Sequence, residues 1–89
     1  MSIQFLKIFE PQISRLSFLK EGNRWTYMGP NFSIDFEPHG EECLKGVYSD
    51  TKGHKDVIFF DFADTLEKPI CMTAINWANN YINTANMIK

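Results

Sequence analysis

The chain has few of the features that mark a secreted or membrane protein. It contains two cysteines, Cys43 and Cys71, and no apolar run approaches the roughly 18 residues needed to span a bilayer. Its first residues lack the basic segment and long apolar run of a secretory signal peptide. We therefore expect a cytoplasmic protein with reduced thiols rather than a disulfide scaffold.

Catalytic and metal-binding motifs are also missing. The sequence has no Cys-x-x-Cys or His-x3-His pair, and its glycines are scattered along the chain instead of forming a phosphate loop. His39, Cys43 and His54 are the residue types that zinc or nucleophilic chemistry would use, so they define an alternative hypothesis, a small metal- or cysteine-dependent enzyme. Our interpretation is that both histidines are solvated turn residues, with no catalytic residue, metal or cofactor.

No charged residue occurs from Pro69 to Ile88. On a helical wheel of about 100° per residue, the apolar residues of this segment gather on one side, which predicts an amphipathic helix over about residues 69–87. Asparagine is a poor helix former, so its abundance on the other side indicates either a contact surface or AT-rich codon bias, and both explanations stay open. We call this side the asparagine face; it comprises Met72, Asn76, Asn79, Asn80, Asn83, Asn86 and Met87.

The middle of the chain alternates between apolar and polar residues, as half-buried strands do. Phe32, Ile34 and Phe36 fall on one side of a strand over residues 32–37. Similar patterns predict strands over residues 24–28, 43–49 and 57–62, with a bulge at Gly46. The turn residues between them leave only hairpin-length connections, which predict an antiparallel meander.

The N-terminal segment is ambiguous. Apolar residues recur at helical spacing from Ile3 to Leu19, but Pro11 interrupts the pattern. We predict a helix over about residues 11–20, ended by Gly22. A kinked longer helix, or a strand over residues 3–9, remains an alternative.

Together these elements predict one α+β domain over residues 1–89, in which a four-stranded sheet over about residues 24–62 is packed by the C-terminal helix in two layers. We expect Trp25, Tyr27 and Phe59 to be the aromatic residues outside the core. With basic neighbours they would suggest single-stranded nucleic-acid binding, a further alternative. The predicted core comprises Leu16, Phe32, Ile34, Phe36, Ile58, Phe60, Phe62, Ala74, Ala78, Tyr81 and Ile82.

Charge is distributed unevenly along the chain. The formal net charge is −2, which excludes a global basic field for nucleic acid. Nine acidic residues against three lysines give residues 35–67 a net charge of −6. We expect part of this excess to form an acidic face that attracts a basic protein partner, for example a nucleic-acid-handling enzyme. Its members would be Asp35, Glu37, Glu41, Glu42 and Asp61.

Small size, an acidic middle, many aromatic residues and missing catalytic motifs are typical of small inhibitors, immunity proteins and phage-encoded proteins as a type; no family motif is present. We therefore predict a non-catalytic module that inhibits or modulates a protein partner through the acidic face. The asparagine face is the alternative contact surface. A homodimer in which Asn80 and Asn83 exchange hydrogen bonds is a further hypothesis, whereas a membrane or nucleic-acid partner is not expected.

Overall fold

The computed structural model describes residues 3–40, 43–61 and 67–87. Along the chain, a first helix is followed by five strands and then by a second helix. Helix α1 spans Ile3–Arg15 and helix α2 spans Glu67–Met87. No helix among these residues is long and apolar enough to cross a bilayer. The strands are β1 (Leu19–Glu21), β2 (Arg24–Met28), β3 (Phe32–Pro38), β4 (Cys43–Asp50) and β5 (Lys55–Asp61).

The strands form one antiparallel sheet in chain order, which confirms the predicted α+β meander. The predicted number of four strands is wrong, because β1 adds a fifth at the edge. Gly22, at a φ of 60°, starts the two-residue loop between β1 and β2, where a type II′ turn requires a positive φ. It therefore closes a hairpin rather than ending a helix.

The N-terminal helix lies earlier than predicted, since it begins at Ile3, runs through Pro11 and ends at Arg15. Phe5, Phe9 and Ile13 lie on one side of it and are fully buried. Burial of each such side chain contributes about 1.5–3 kcal/mol to the stability of the fold. Together they outweigh the cost of a proline inside a helix, about 3 kcal/mol. Tertiary burial therefore decides the conformation of this segment.

Both helices pack on the same side of the sheet. Phe9 of α1 meets the rings of Trp25 and Phe36 edge-on at 5.1 and 5.5 Å, and Trp77 of α2 meets Phe36 at 5.6 Å. The helices also contact each other, so they form one layer and the sheet the other. The buried apolar core comprises Phe5, Phe9, Ile13, Phe18, Trp25, Phe32, Ile34, Phe36, Leu44, Phe60, Ile70, Cys71, Ala74, Ile75, Ala78 and Ile82.

Most of the predicted core is confirmed. Leu16, Ile58 and Tyr81 are half-buried at its margin, and Phe62 lies outside the described residues. The prediction for Trp25 is wrong: this residue is only 3% exposed, because α1 covers β2. Tyr27 is half-buried beside Phe18, whereas Phe59 is exposed as predicted.

Gly46 of β4 has a packing role. The predicted bulge is wrong, because Gly46 pairs regularly with Phe36 and Ile58. A Cβ at this position would lie 2.9 Å from the Trp77 ring and 3.1 Å from Phe36. The missing side chain therefore lets α2 approach the sheet closely.

Candidate binding surfaces

One side of the sheet carries both helices, and no helix or strand in the described part of the chain covers the other side. We call this uncovered side the open face. Antiparallel partners point to the same side of a sheet, so the cross-strand register assigns its members. They are Leu19, Glu21, Arg24, Thr26, Met28, Ser33, Asp35, Glu37, Cys43, Lys45, Val47, Ser49, Lys55, Val57, Phe59 and Asp61.

Large apolar side chains are exposed at two opposite margins of the open face. At the β1–β2 margin, Leu19 is 71% and Met28 73% exposed. At the β5 margin, Val57 is 41% and Phe59 52% exposed. The register places Val47 beside Val57. Four of the five exposed large apolar side chains among the described residues therefore belong to this one surface.

Polar contacts occupy the middle of the open face. Asp35 accepts a hydrogen bond from the Thr26 hydroxyl at 2.8 Å and forms an ion pair with Arg24 at 3.3 Å. Its side chain is only 20% exposed. Ser33 and Ser49 hydrogen-bond to each other beside it. Asp35 thus stabilises the face itself and contributes little free charge to it.

The predicted acidic residues share the open face only in part. Asp35, Glu37 and Asp61 do lie on it, but β4 separates β3 from β5, and Lys45 stands opposite Glu37 in the register. Glu41 and Glu42 lie outside the described residues. The face carries four acidic and three basic side chains, because Glu21 joins the acids and Arg24, Lys45 and Lys55 oppose them. Its chemistry is therefore mixed rather than strongly acidic.

The asparagine face forms the outer surface of the helix layer. Asn76, Asn80 and Asn83 are exposed, Asn79 is half-buried, and Met72 is 40% exposed. The side chains of Asn86 and Met87 lie outside the described part of the chain. Among its described side chains, this surface is polar and uncharged, with one apolar contact point at Met72.

A cluster around Asp50 lies in the β4–β5 turn at one end of the sheet. Its Oδ1 accepts hydrogen bonds from the backbone N–H groups of Lys52 and His54, and its Oδ2 from the Tyr48 hydroxyl. Nδ1 of His54 also lies 3.0 Å from Oδ2. Burial raises the pKa of Asp50, but these hydrogen bonds outweigh it and hold the pKa at about 2.

This cluster borders a depression of about 280 Å³ between the turns and the end of α2. A carboxylate has roughly four acceptor positions, and the contacts of Asp50 use all of them. We therefore assign the cluster to the stability of the β4–β5 turn.

Asp56 connects β5 to α2. It accepts hydrogen bonds from the Tyr81 hydroxyl at 2.5 Å and from the Trp77 indole N–H at 3.4 Å. Burial, and then the hydrogen bond to Asp56, raise the pKa of Tyr81 to about 12. Asp56 therefore points toward the helix layer and away from the open face.

The structure does not bring His39, Cys43 and His54 together. The backbone N–H of His39 bonds to the carbonyl of Cys43, but His54 follows the far end of β4, whose eight residues span roughly 23 Å at about 3.3 Å per residue. Burial, and then the nearby Asp61 carboxylate, raise the pKa of the Cys43 thiol, which disfavours the reactive thiolate. The described residues contain no group of three or more His, Cys, Asp or Glu side chains placed to hold a metal ion.

The sequence patterns did not reveal the most exposed apolar residues of the open face, Leu19 and Met28. Leu19 continues the helical spacing of α1, which hid its place in β1. Met28 was detectable, because it alternates with Arg24 and Thr26 along β2. Comparison with known proteins adds nothing to this picture: no family model, curated protein or solved structure matches the chain.

Proposed function

We propose that the protein is a small non-catalytic module that binds a protein partner on the open face and thereby inhibits or modulates it. The carrying observation is that four of the five exposed large apolar side chains of the described residues lie on this one face, at its two margins: Leu19, Met28, Val57 and Phe59. Exposed apolar surface of this kind is typical of protein interaction sites.

The rigidity of the open face supports this proposal. Cross-strand pairing fixes the backbone of the face, and the Arg24–Asp35–Thr26 contacts fix its central polar side chains before a partner arrives. Binding then costs less conformational entropy than it would on a mobile loop. The mixed charge favours a partner that combines apolar side chains with cations placed opposite Glu37 and Asp61.

A pair of charge-matched variants tests which face binds. The open-face variant, Leu19→Lys with Met28→Lys, places two lysines on highly exposed positions. The helix-face variant, Asn76→Lys with Asn83→Lys, adds the same two charges to exposed positions of α2. Both variants change the net charge equally, and with it the long-range attraction to the partner. A difference in partner binding between them therefore reports which face contacts the partner.

Affinity capture from lysate of the native host, followed by mass spectrometry, supplies the partner. Binding of the purified partner to each variant is then measured. We expect the open-face variant to lose the partner and the helix-face variant to keep it. The reverse result would transfer the contact to the asparagine face, and equal binding by both variants would contradict either assignment.

Glu37 gives a separate test of electrostatic steering. Reversing Asp35 would also break its contacts with Arg24 and Thr26, so Glu37→Lys is the cleaner change. With a basic partner, this variant should associate several-fold more slowly at low salt, and the difference should shrink as salt is added. The helix-face variant, which has the same net charge, is the control.

A further inference from the structure

Strand β5 forms one edge of the sheet, and among the described residues no further strand pairs with it. All seven of its residues pair with β4 without a bulge, and it contains no proline or glycine. Val57, Ile58, Phe59 and Phe60 make its centre apolar. The opposite edge, β1, has only three residues. Proteins protect long, regular, apolar edges from pairing or use them for pairing.

We propose that two copies of this chain associate by antiparallel pairing of their β5 strands, which forms one continuous ten-stranded sheet. This inference does not depend on the proposed partner, because it concerns the isolated protein. It identifies the outer edge of β5 as an interaction surface and a second copy as its occupant.

The sequence of β5 is complementary to itself in one register. Directly opposed residues point to the same side of a sheet. In a pair of strands related by a twofold axis, the axis must therefore pass beside one residue, which then lies opposite its own copy. Centring the pair on Ile58 uses the full strand and places Lys55 of each copy opposite Asp61 of the other. A strand with the same charge at both ends would repel its copy in this register, whereas β5 carries a cation at one end and an anion at the other.

The same register matches the apolar residues. Val57 of one copy lies opposite Phe59 of the other on the open face, an aromatic with β-branched pairing that stabilises antiparallel sheets. The charge of Asp56 does not disfavour the dimer, because Asp56 points to the helix layer and accepts hydrogen bonds from Tyr81 and Trp77. The two open faces would become one surface with Val57 and Phe59 of both copies at its centre.

Charge reversal with rescue tests the register. Lys55→Glu or Asp61→Lys alone would place like charges opposite each other twice in the dimer, and each should weaken dimerisation about tenfold. The double variant restores opposite charges and should recover the wild-type dissociation constant. Lys52→Glu, in the β4–β5 turn, controls for the change in net charge made by Lys55→Glu. Each variant is checked for folding by circular dichroism.

A lysine at the centre of the edge gives a second test. Val57→Lys should abolish dimerisation, because it places an ammonium group opposite Phe59 of the other copy and diagonally across from a second ammonium group. Met28→Lys adds the same charge to the opposite margin of the open face and should leave dimerisation intact. Both positions are exposed, so neither substitution opens the core.

Sedimentation velocity across the micromolar range measures all these variants without any partner protein. The proposal predicts that the wild type dimerises, that each single charge reversal weakens the dimer and that the double variant restores it. It also predicts that Val57→Lys abolishes dimerisation while Met28→Lys does not. A wild-type monomer throughout this range would overturn it. A dimer that Val57→Lys leaves intact, or that the double reversal fails to rescue, would place the interface elsewhere.

Discussion

The rings of Tyr48 on β4 and Tyr81 on α2 stack in parallel, with centroids 4.0 Å apart and planes 11° from parallel. Their hydroxyl groups bond to different carboxylates: Tyr48 donates to Asp50, and Tyr81 to Asp56. The pair therefore links the second helix to two strands through stacking and hydrogen bonding together. No local sequence pattern connects two residues so far apart in the chain.

Removing the Tyr81 hydroxyl should weaken this link while keeping the ring stack. We expect Tyr81→Phe to lower the free energy of unfolding by about 0.5–1.5 kcal/mol, the usual worth of one hydrogen bond. Urea denaturation measures this loss. An unchanged unfolding midpoint would show that the contact between Tyr81 and Asp56 contributes no stability.

Alkaline titration tests the same contact. Burial and Asp56 raise the pKa of Tyr81 to about 12, so the stability tied to its protonated hydroxyl is complete below the ordinary value of 10 and is lost as pH rises through about 12. In tyrosinate absorbance, wild type should show a step near pH 12 that Tyr81→Phe removes. A step that persists in the variant would assign it to another tyrosine.

Acid stability should depend on Asp50. Its pKa falls from the ordinary 3.8 to about 2 on folding, so its ionised form stabilises the fold above about pH 4, and this contribution is lost as pH falls toward 2. Asp50→Asn should therefore lower the urea midpoint at pH 7, and the difference from wild type should shrink between pH 4 and pH 2.

Glu21→Gln is the control for Asp50→Asn, because it removes an exposed carboxylate from β1. Glu21→Gln should leave the urea midpoint nearly unchanged at pH 7 and between pH 4 and pH 2. A constant effect of Asp50→Asn across the acid range would contradict the role assigned to its ionised form.

Two neighbouring phenylalanines of β5 test the assignment of the two sheet sides. Phe60 is 6% exposed on the helix side, whereas Phe59 is 52% exposed on the open face. Phe60→Ala should cost about 3–5 kcal/mol because it leaves a cavity in the core. Phe59→Ala should cost no more than about 1 kcal/mol. Equal losses in thermal or urea unfolding would mean that both sides are covered.

Gly46 tests the close approach of α2 to the sheet. Gly46→Ala would place a Cβ 2.9 Å from Trp77 and 3.2 Å from Ile58, so we expect a loss of about 1–3 kcal/mol through overpacking. Trp77→Leu in the same background should recover part of the loss by making room. A neutral Gly46→Ala, measured by urea denaturation, would show that the helix can shift without cost.

Periodicity predicted the parts of the fold in which one element buries one side. Phe32, Ile34 and Phe36 alternate along β3, and the uncharged C-terminal segment forms α2 within two residues of the expected start. Local patterns failed where distant contacts decide the conformation. Helix α1 continues through Pro11 because its aromatic residues pack on the sheet, and β1 exists because it pairs with β2 while burying nothing itself.

The same limit applies to the candidate site. The alternation of β3 predicted that Asp35 and Glu37 share an uncovered surface. It did not reveal that Arg24 pairs with Asp35, because that contact depends on the register between two strands. Likewise, the apolar margins of the open face combine residues from the first two strands and the last one, which only the complete sheet brings onto one side.

Hydroxyl-radical footprinting of the complex with the captured partner tests the central proposal most directly. The chain carries its own internal comparison, because Met28 is exposed on the open face and Met72 on the asparagine face. Binding on the open face predicts that partner addition protects Met28 and Phe59 from oxidation while Met72 reacts at its free rate. Protection of Met72 with Met28 unchanged would contradict the account.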